Sequence, residues 1–219
     1  IIINSPYSNR DVFLRELASN VVDACDKKRF LSLTTDDGAA VERPTIQIRG
    51  DRDTMAITIE DTGVGMTKSE LHNNLGRIAQ SGTKKFLEAL GDGGSSDVNL
   101  IGQFGVGFYS SYLVVDKVEV VTKSMQPGAA QFKWTLDALN SYTIMEGGGA
   151  PMEGSGTRLV LHLKDDALEY LEAAKLEDLL QHYSKSVEVS GRARLTATLS
   201  LGGPRSVPGS SATLRRRSV

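Results

Sequence analysis

The chain has 219 residues, 25 of them basic and 27 acidic, for a formal net charge of −2, with 40% hydrophobic and 24% charged residues. This composition fits one large globular domain, or one domain with an appendage, and excludes a collagen-like or wholly disordered chain. No stretch approaches the roughly 18 consecutive apolar residues of a membrane-spanning helix. Residues 189–219 hold six arginines and no acidic residue, so the residues before them carry −8, and an acidic body does not draw nucleic acid broadly.

The chain opens Ile1-Ile2-Ile3 with no initiator methionine, and so reads as a fragment or a processed product. Ser8-Asn9-Arg10-Asp11 has the form of a capping box. The helix it starts is expected to run to about Arg29, with Phe13, Leu17, Val21 and Ala24 as its apolar stripe. Beside that stripe, Glu16, Asn20 and Asp23 share one face through spacings of four and three. A carboxylate and an amide oxygen there can orient a water or bind a hard cation, although the same spacing suits a solvated polar face. The single cysteine, Cys25, excludes an intrachain disulfide. His72, His162 and His182 are far apart in sequence, so any bound metal must be held by oxygen.

Residues 45–49 and 55–60 alternate as strands, with Ile46/Ile48 and Met55/Ile57/Ile59 each pointing one way. Directly after the second comes Asp61-Thr62-Gly63-Val64-Gly65-Met66, where a strand-end carboxylate meets a bare backbone, as in a ligand site or a simple turn. Thr67 and Glu70 form a second capping box, opening a helix with Leu71 and Leu75. Ser81-Gly82-Thr83-Lys84 lacks the full phosphate-loop pattern, and residues 91–96 read as a mobile glycine-serine loop. Gly102-Gln103-Phe104-Gly105-Val106-Gly107-Phe108 leads into a helical stretch at 108–113. Its glycines can form a nest for phosphate oxygens or a structural loop.

Further strands are expected at 118–122, 132–136 and 159–163, the last preceded by Gly154-Ser155-Gly156-Thr157-Arg158. Residues 168–186 have helical spacing through Leu171, Leu176, Leu179, Leu180 and Tyr183. From Ser200 onward, Ser, Gly, Pro and Arg supply 14 of 20 residues, which cannot build a core. The expected fold is α+β: a two-layer sandwich with a mostly antiparallel mixed sheet covered on one face by helices. The expected division is a domain over residues 1–187 and a disordered basic tail over 188–219.

Taken in order, a helix with Glu/Asn/Asp, then D-x-G-x-G, G-x-x-G-x-G and G-T resemble the Bergerat-type ATP fold of DNA gyrase B, heat-shock protein 90, sensor histidine kinases and MutL proteins. Tyr7-Ser8-Asn9-Arg10-Asp11-Val12-Phe13-Leu14-Arg15-Glu16-Leu17, Asn73-Asn74-Leu75-Gly76, Ser81-Gly82-Thr83-Lys84 and Ile101-Gly102-Gln103-Phe104-Gly105-Val106-Gly107-Phe108-Tyr109-Ser110 resemble the heat-shock protein 90 family. The likeness covers about residues 1–187. Within that family, Arg29-Phe30-Leu31-Ser32-Leu33-Thr34, Asn99-Leu100-Ile101-Gly102 and Glu169-Tyr170-Leu171-Glu172 look most like the endoplasmin branch.

The resemblance implies an ATP-hydrolysing chaperone domain that binds ATP or ADP with Mg²⁺. It assigns Glu16 as general base, Asn20 as Mg²⁺ ligand and Asp61 as acceptor for the adenine amino group. Thr157 would join Asp61 through water, and Gly105 and Gly107 with the amide of Phe108 would cradle phosphates. Asn74 would line a pocket walled by Ala24, Met66, Leu75 and Phe108, with Asp23, Gly65 and Val106 also at the nucleotide. Residues 76–107 would form a lid. The implied partners are client proteins, co-chaperones and a second copy in a full-length homodimer, with this piece a monomer and neither nucleic acid nor membrane involved. The implied compartment is the endoplasmic-reticulum lumen, with the cytoplasm or another organelle as the alternative. The competing readings are a histidine-kinase-like domain, a gyrase- or MutL-like ATPase, and a nucleotide-binding module without turnover.

Overall fold

A computed structural model describes residues 10–34, 44–76, 107–136, 142–172, 174–176, 178–179 and 194–200. The first helix, α1 (Val12–Thr34), runs past the expected end at Arg29. Neither glycine nor proline stands there to stop it, and the hydroxyls of Ser32 and Thr34 donate to the carbonyls of Lys28 and Phe30 one turn back. Its buried residues include Phe13, Leu17, Val21 and Cys25, while Ala24 is half-buried and the added turn leaves Phe30 and Leu33 exposed. The proposed cap Ser8 lies outside the described residues. Asp11 accepts from the Tyr170 hydroxyl at 2.8 Å and from Lys175, tying the start of α1 to a later helical segment.

Strands β1 (Thr45–Asp51) and β2 (Ala56–Asp61) pair antiparallel. Met55 is not part of β2: it sits in the intervening turn at φ 48° and is exposed. The turn is fixed by the Asp51 carboxylate, which accepts from the amide of Asp53 at 2.9 Å. Thr67 caps α2 (Lys68–Leu71) through a reciprocal bond pair with Glu70, and the chain continues as a π-helical turn, His72–Gly76. A 3₁₀ helix, Gly107–Leu113, precedes β3 (Val115–Lys123), β4 (Gln131–Leu136), β5 (Tyr142–Glu146) and β6 (Gly156–Leu163). In place of one long helix from Leu168, a 3₁₀ helix spans Asp165–Leu171 and helical backbone resumes at 174–176 and 178–179.

The sheet order is β5-β4-β3-β6-β2-β1-β7, antiparallel throughout except for β7 (Arg194–Ser200), which runs parallel to β1. This strand falls inside the stretch expected to be a disordered tail. Its register sets Leu195 against Ile46 and Ala197 against Ile48, so its alternation matches that of β1. The α+β architecture agrees with the expectation. One sheet face carries the core, where Phe13, Leu14 and Leu17 of α1 meet Ile48, Ile57, Ile59, Leu161 and Trp134.

Candidate functional site

The register arranges that core face in rows across the sheet. One row reads Ile48, Ile59, Leu159, Val120, Trp134 and Ile144, apolar from β1 to β5. The row two residues away reads Ile46, Asp61, Thr157, Thr122 and Phe132, so three adjacent strands place polar side chains where the pattern calls for apolar ones. Asp61 is 2% exposed. Burial pushes its carboxyl up to about 7, while the backbone amides of Gly63 and Thr157 donate to it and pull the other way. The Thr122 hydroxyl donates to the Gly156 carbonyl at 2.9 Å, accepts from the Met66 amide at 2.9 Å and lies 3.1 Å from the Thr157 hydroxyl. A buried carboxylate held by amides, with hydroxyls beside it, is suited to reading the polar edge of a ligand.

The backbone after Asp61 is packed as closely as its glycines allow. A Cβ at Gly63 would lie 2.7 Å from the Ala24 backbone and 2.8 Å from Asp61 Oδ1. Gly65 sits at φ +60°, and a Cβ there would lie 1.9 Å from the Lys123 carbonyl oxygen. The turn is stitched to α1 by Val64 N–H donating to the Ala24 carbonyl at 3.2 Å, and to the β5–β6 connection by the Ser155 hydroxyl donating to the Gly63 carbonyl at 2.9 Å. Gly65→Ala is therefore expected to destabilise the chain by about 3 kcal/mol or more, from a left-handed backbone plus an overlap with main chain that cannot rotate away. Urea unfolding reads this directly, and an unchanged midpoint would refute the packing described.

On α1, Glu16 is largely buried, and its Oε1 accepts from Arg15 Nε at 3.2 Å and Nη2 at 2.9 Å. A Cβ at Gly107 would lie 2.7 Å from Glu16 Oε2, so the 3₁₀ helix begins directly over that carboxylate. Asn20 and Asp23 lie further along the helix and are exposed. Partial burial and the neighbouring Asp26 raise the Asp23 carboxyl above its ordinary range. Met66 is half-buried, Leu75 and Phe108 are buried, and the Asn74 side-chain amide lies 3.9 Å from Met66 Sδ. The Tyr109 hydroxyl holds the Leu75 carbonyl, and the Phe108 ring meets Trp134 edge-on at 5.7 Å. Gly105, Val106 and the rest of 77–106, including the expected lid and the loop at 91–96, lie outside the described residues. Among the described residues no group of three or more His, Cys, Asp or Glu is placed to hold a metal.

The structure thus joins Asp61, Thr157, Gly65, Met66 and the backbone of Ala24 in one buried constellation, and Glu16 with Gly107 in a second contact on the same helix. Sequence reasoning missed Thr122, Ser155 and Lys28, whose Nζ donates to the Thr62 carbonyl at 2.8 Å. A signal for Thr122 existed, since it continues the buried parity of Val118 and Val120.

Comparison with known proteins gives the family. Residues 9–153 match the family of histidine kinase-, DNA gyrase B- and HSP90-like ATPases. An endoplasmin homolog from Hordeum vulgare is 51% identical over 193 residues, covering 85% of this chain and 23% of the relative. A second, from Arabidopsis thaliana, is 47% identical with the same coverage. The chaperone protein HtpG of Myxococcus xanthus is 46% identical over 190 residues, covering 85% of this chain and 28% of the relative. The chain therefore spans about a quarter of the length of the curated relatives it matches. It belongs to the histidine kinase-, DNA gyrase B- and HSP90-like ATPase family, on the HSP90 side of that family.

Proposed function

We propose that this chain is the nucleotide-binding part of a heat-shock protein 90-type chaperone, whose ATP binding and hydrolysis drive closure of a dimer around client proteins. The observation that carries the reading is Asp61, a buried carboxylate at the end of a strand, held by the amides of Gly63 and Thr157. Its ionised form accepts the exocyclic amino group of adenine, and Thr157 extends the polar edge through water. Ala24, Met66, Leu75 and Phe108 supply apolar contact to the base, with Asn74 at the rim and Asp23 and Gly65 alongside. The amides at Gly105, Val106, Gly107 and Phe108 take the phosphates.

Glu16 orients and deprotonates the attacking water. The amide oxygen of Asn20, exposed one helical turn from Glu16, is a donor of the kind that suits Mg²⁺, whose charge when bound offsets that of the phosphates. Client binding, co-chaperones and dimer closure belong to the longer protein, and its compartment on this reading is the endoplasmic-reticulum lumen.

The test is calorimetric titration with ATP, ADP and GTP, with and without Mg²⁺. Adenine nucleotides should bind and GTP should not, because its 6-oxo group sets an acceptor against the Asp61 carboxylate. Equal binding of GTP would refute the reading.

A further inference from the structure

We propose that Lys28 is a positioning residue for nucleotide recognition, acting on Asp61 through the peptide unit between Thr62 and Gly63. The inference rests on the adenine-binding reading of Asp61 and adds a residue to it. Lys28 lies one helical turn beyond Ala24 on α1, so both face the turn that follows β2. Ala24 fixes that turn at Val64, whose amide donates to its carbonyl at 3.2 Å. Lys28 fixes it one peptide earlier, donating from Nζ to the Thr62 carbonyl at 2.8 Å.

That carbonyl and the Gly63 N–H belong to one planar peptide. The Gly63 N–H donates to Asp61 Oδ1 at 2.8 Å. Holding the oxygen at one end therefore aims the hydrogen at the other. A charge-assisted bond at the carbonyl also polarises the amide, which strengthens its N–H as a donor to the carboxylate. Thr62 itself is held by Thr45, whose amide donates to the Thr62 hydroxyl at 2.8 Å and whose carbonyl accepts from the Thr62 amide at 3.1 Å. Glycine at 63 allows the arrangement, since a Cβ would strike both Ala24 and the carboxylate.

The groups acting on Asp61 from the surrounding elements are Cys25 and Lys28 on α1, Glu60 on β2, and the amides of Gly63 and Thr157. Cys25 stays a neutral thiol, because burial, with Asp61 and Asp26 nearby, pushes it up to about 12. Glu60 is itself paired with Arg158 at 2.6 Å, and among the described residues Lys28 is the cation that acts on Asp61 directly, favouring its ionised, acceptor form.

The test measures ADP affinity by calorimetry from pH 6 to 8.5 for the parent, Lys28→Met, Lys28→Arg and Asp61→Asn, each checked for folding by circular dichroism. Lys28→Met keeps the aliphatic stem and removes the charge. It should weaken ADP binding about tenfold at pH 7, the scale of one charged hydrogen bond. The pH at which affinity is half-maximal should move upward, and Lys28→Arg should restore both quantities. A folded Lys28→Met with parental affinity and an unmoved pH midpoint overturns the proposal, as does a loss of affinity that Lys28→Arg does not restore. Asp61→Asn separates the two levels: if it binds ADP like the parent, the adenine reading itself fails, whereas if it loses ADP while Lys28→Met does not, only the role of Lys28 fails.

Discussion

Asp61→Asn is expected to remove adenine-nucleotide binding while leaving a chain at least as stable as the parent above pH 7. The carboxylate accepts from the amides of Gly63 and Thr157 and offers its remaining lone pairs to the ligand. An asparagine can satisfy one of these demands with its oxygen, but whichever way it turns, its NH₂ group faces another donor. An unpaired buried donor costs about 1–3 kcal/mol and the lost charged hydrogen bond a similar amount, so affinity should fall by roughly 10²–10⁴-fold. Stability should move the other way. The folded chain holds the Asp61 proton up to about 7 against an ordinary 3.8, so between those values the folded state binds more protons and stability falls as pH rises. At about 1.4 kcal/mol per pKa unit, the ionised group costs the folded state on the order of 4 kcal/mol at pH 8. Asparagine carries no charge to desolvate, only the cost of its mispaired amide, about 1–3 kcal/mol, so the variant should hold its advantage at pH 8 and lose it toward pH 4. Denaturant unfolding at pH 5 and pH 8 beside a nucleotide titration reads both effects. Retained ADP affinity in the folded variant would refute the assignment.

Glu16→Ala should separate binding from turnover. Its carboxylate is anchored by the Arg15 guanidinium and lies against the start of the helix at Gly107, a position suited to holding a water rather than the base of the nucleotide. A general base typically contributes 10²–10⁴-fold, so turnover should drop by about that factor while ADP affinity stays within about threefold. The measurement belongs in the longer protein of which this chain is proposed to be the nucleotide-binding part. Hydrolysis there at the parental rate would show that Glu16 is not the base.

The parts of this site that were legible in the sequence are those governed by local rules. The Thr67 capping box formed as written because its two hydrogen bonds close over three residues. Glu16, Asn20 and Asp23 were readable as one helix face, and Asp61 as the end of a strand, because period and turn chemistry act over a few residues. The polar row of Asp61, Thr157 and Thr122 was not readable, because it exists only through the registers of β2 with β6 and of β6 with β3. The closeness of Gly107 to Glu16 depends on where distant segments dock, and so does the grip of Lys28 on Thr62. Strand β7 was hidden for another reason: Arg194–Ser200 alternates as a strand would, but it borders a stretch dominated by serine, glycine, proline and arginine, and it pairs through the backbone edge of β1.

The central claim is that Asp61 reads the amino group of adenine, and the most direct measurement compares ADP with inosine diphosphate on the unaltered chain. The two ligands differ at the base in that the 6-amino donor becomes a 6-oxo acceptor and N1 changes from acceptor to N–H donor, so the group that Asp61 is proposed to accept from is lost. ADP is expected to bind more tightly by about 10²-fold or more at pH 8, and its affinity to fall as the pH drops through about 7, where Asp61 takes up its proton. Equal affinity for the two nucleotides at pH 8 would contradict it.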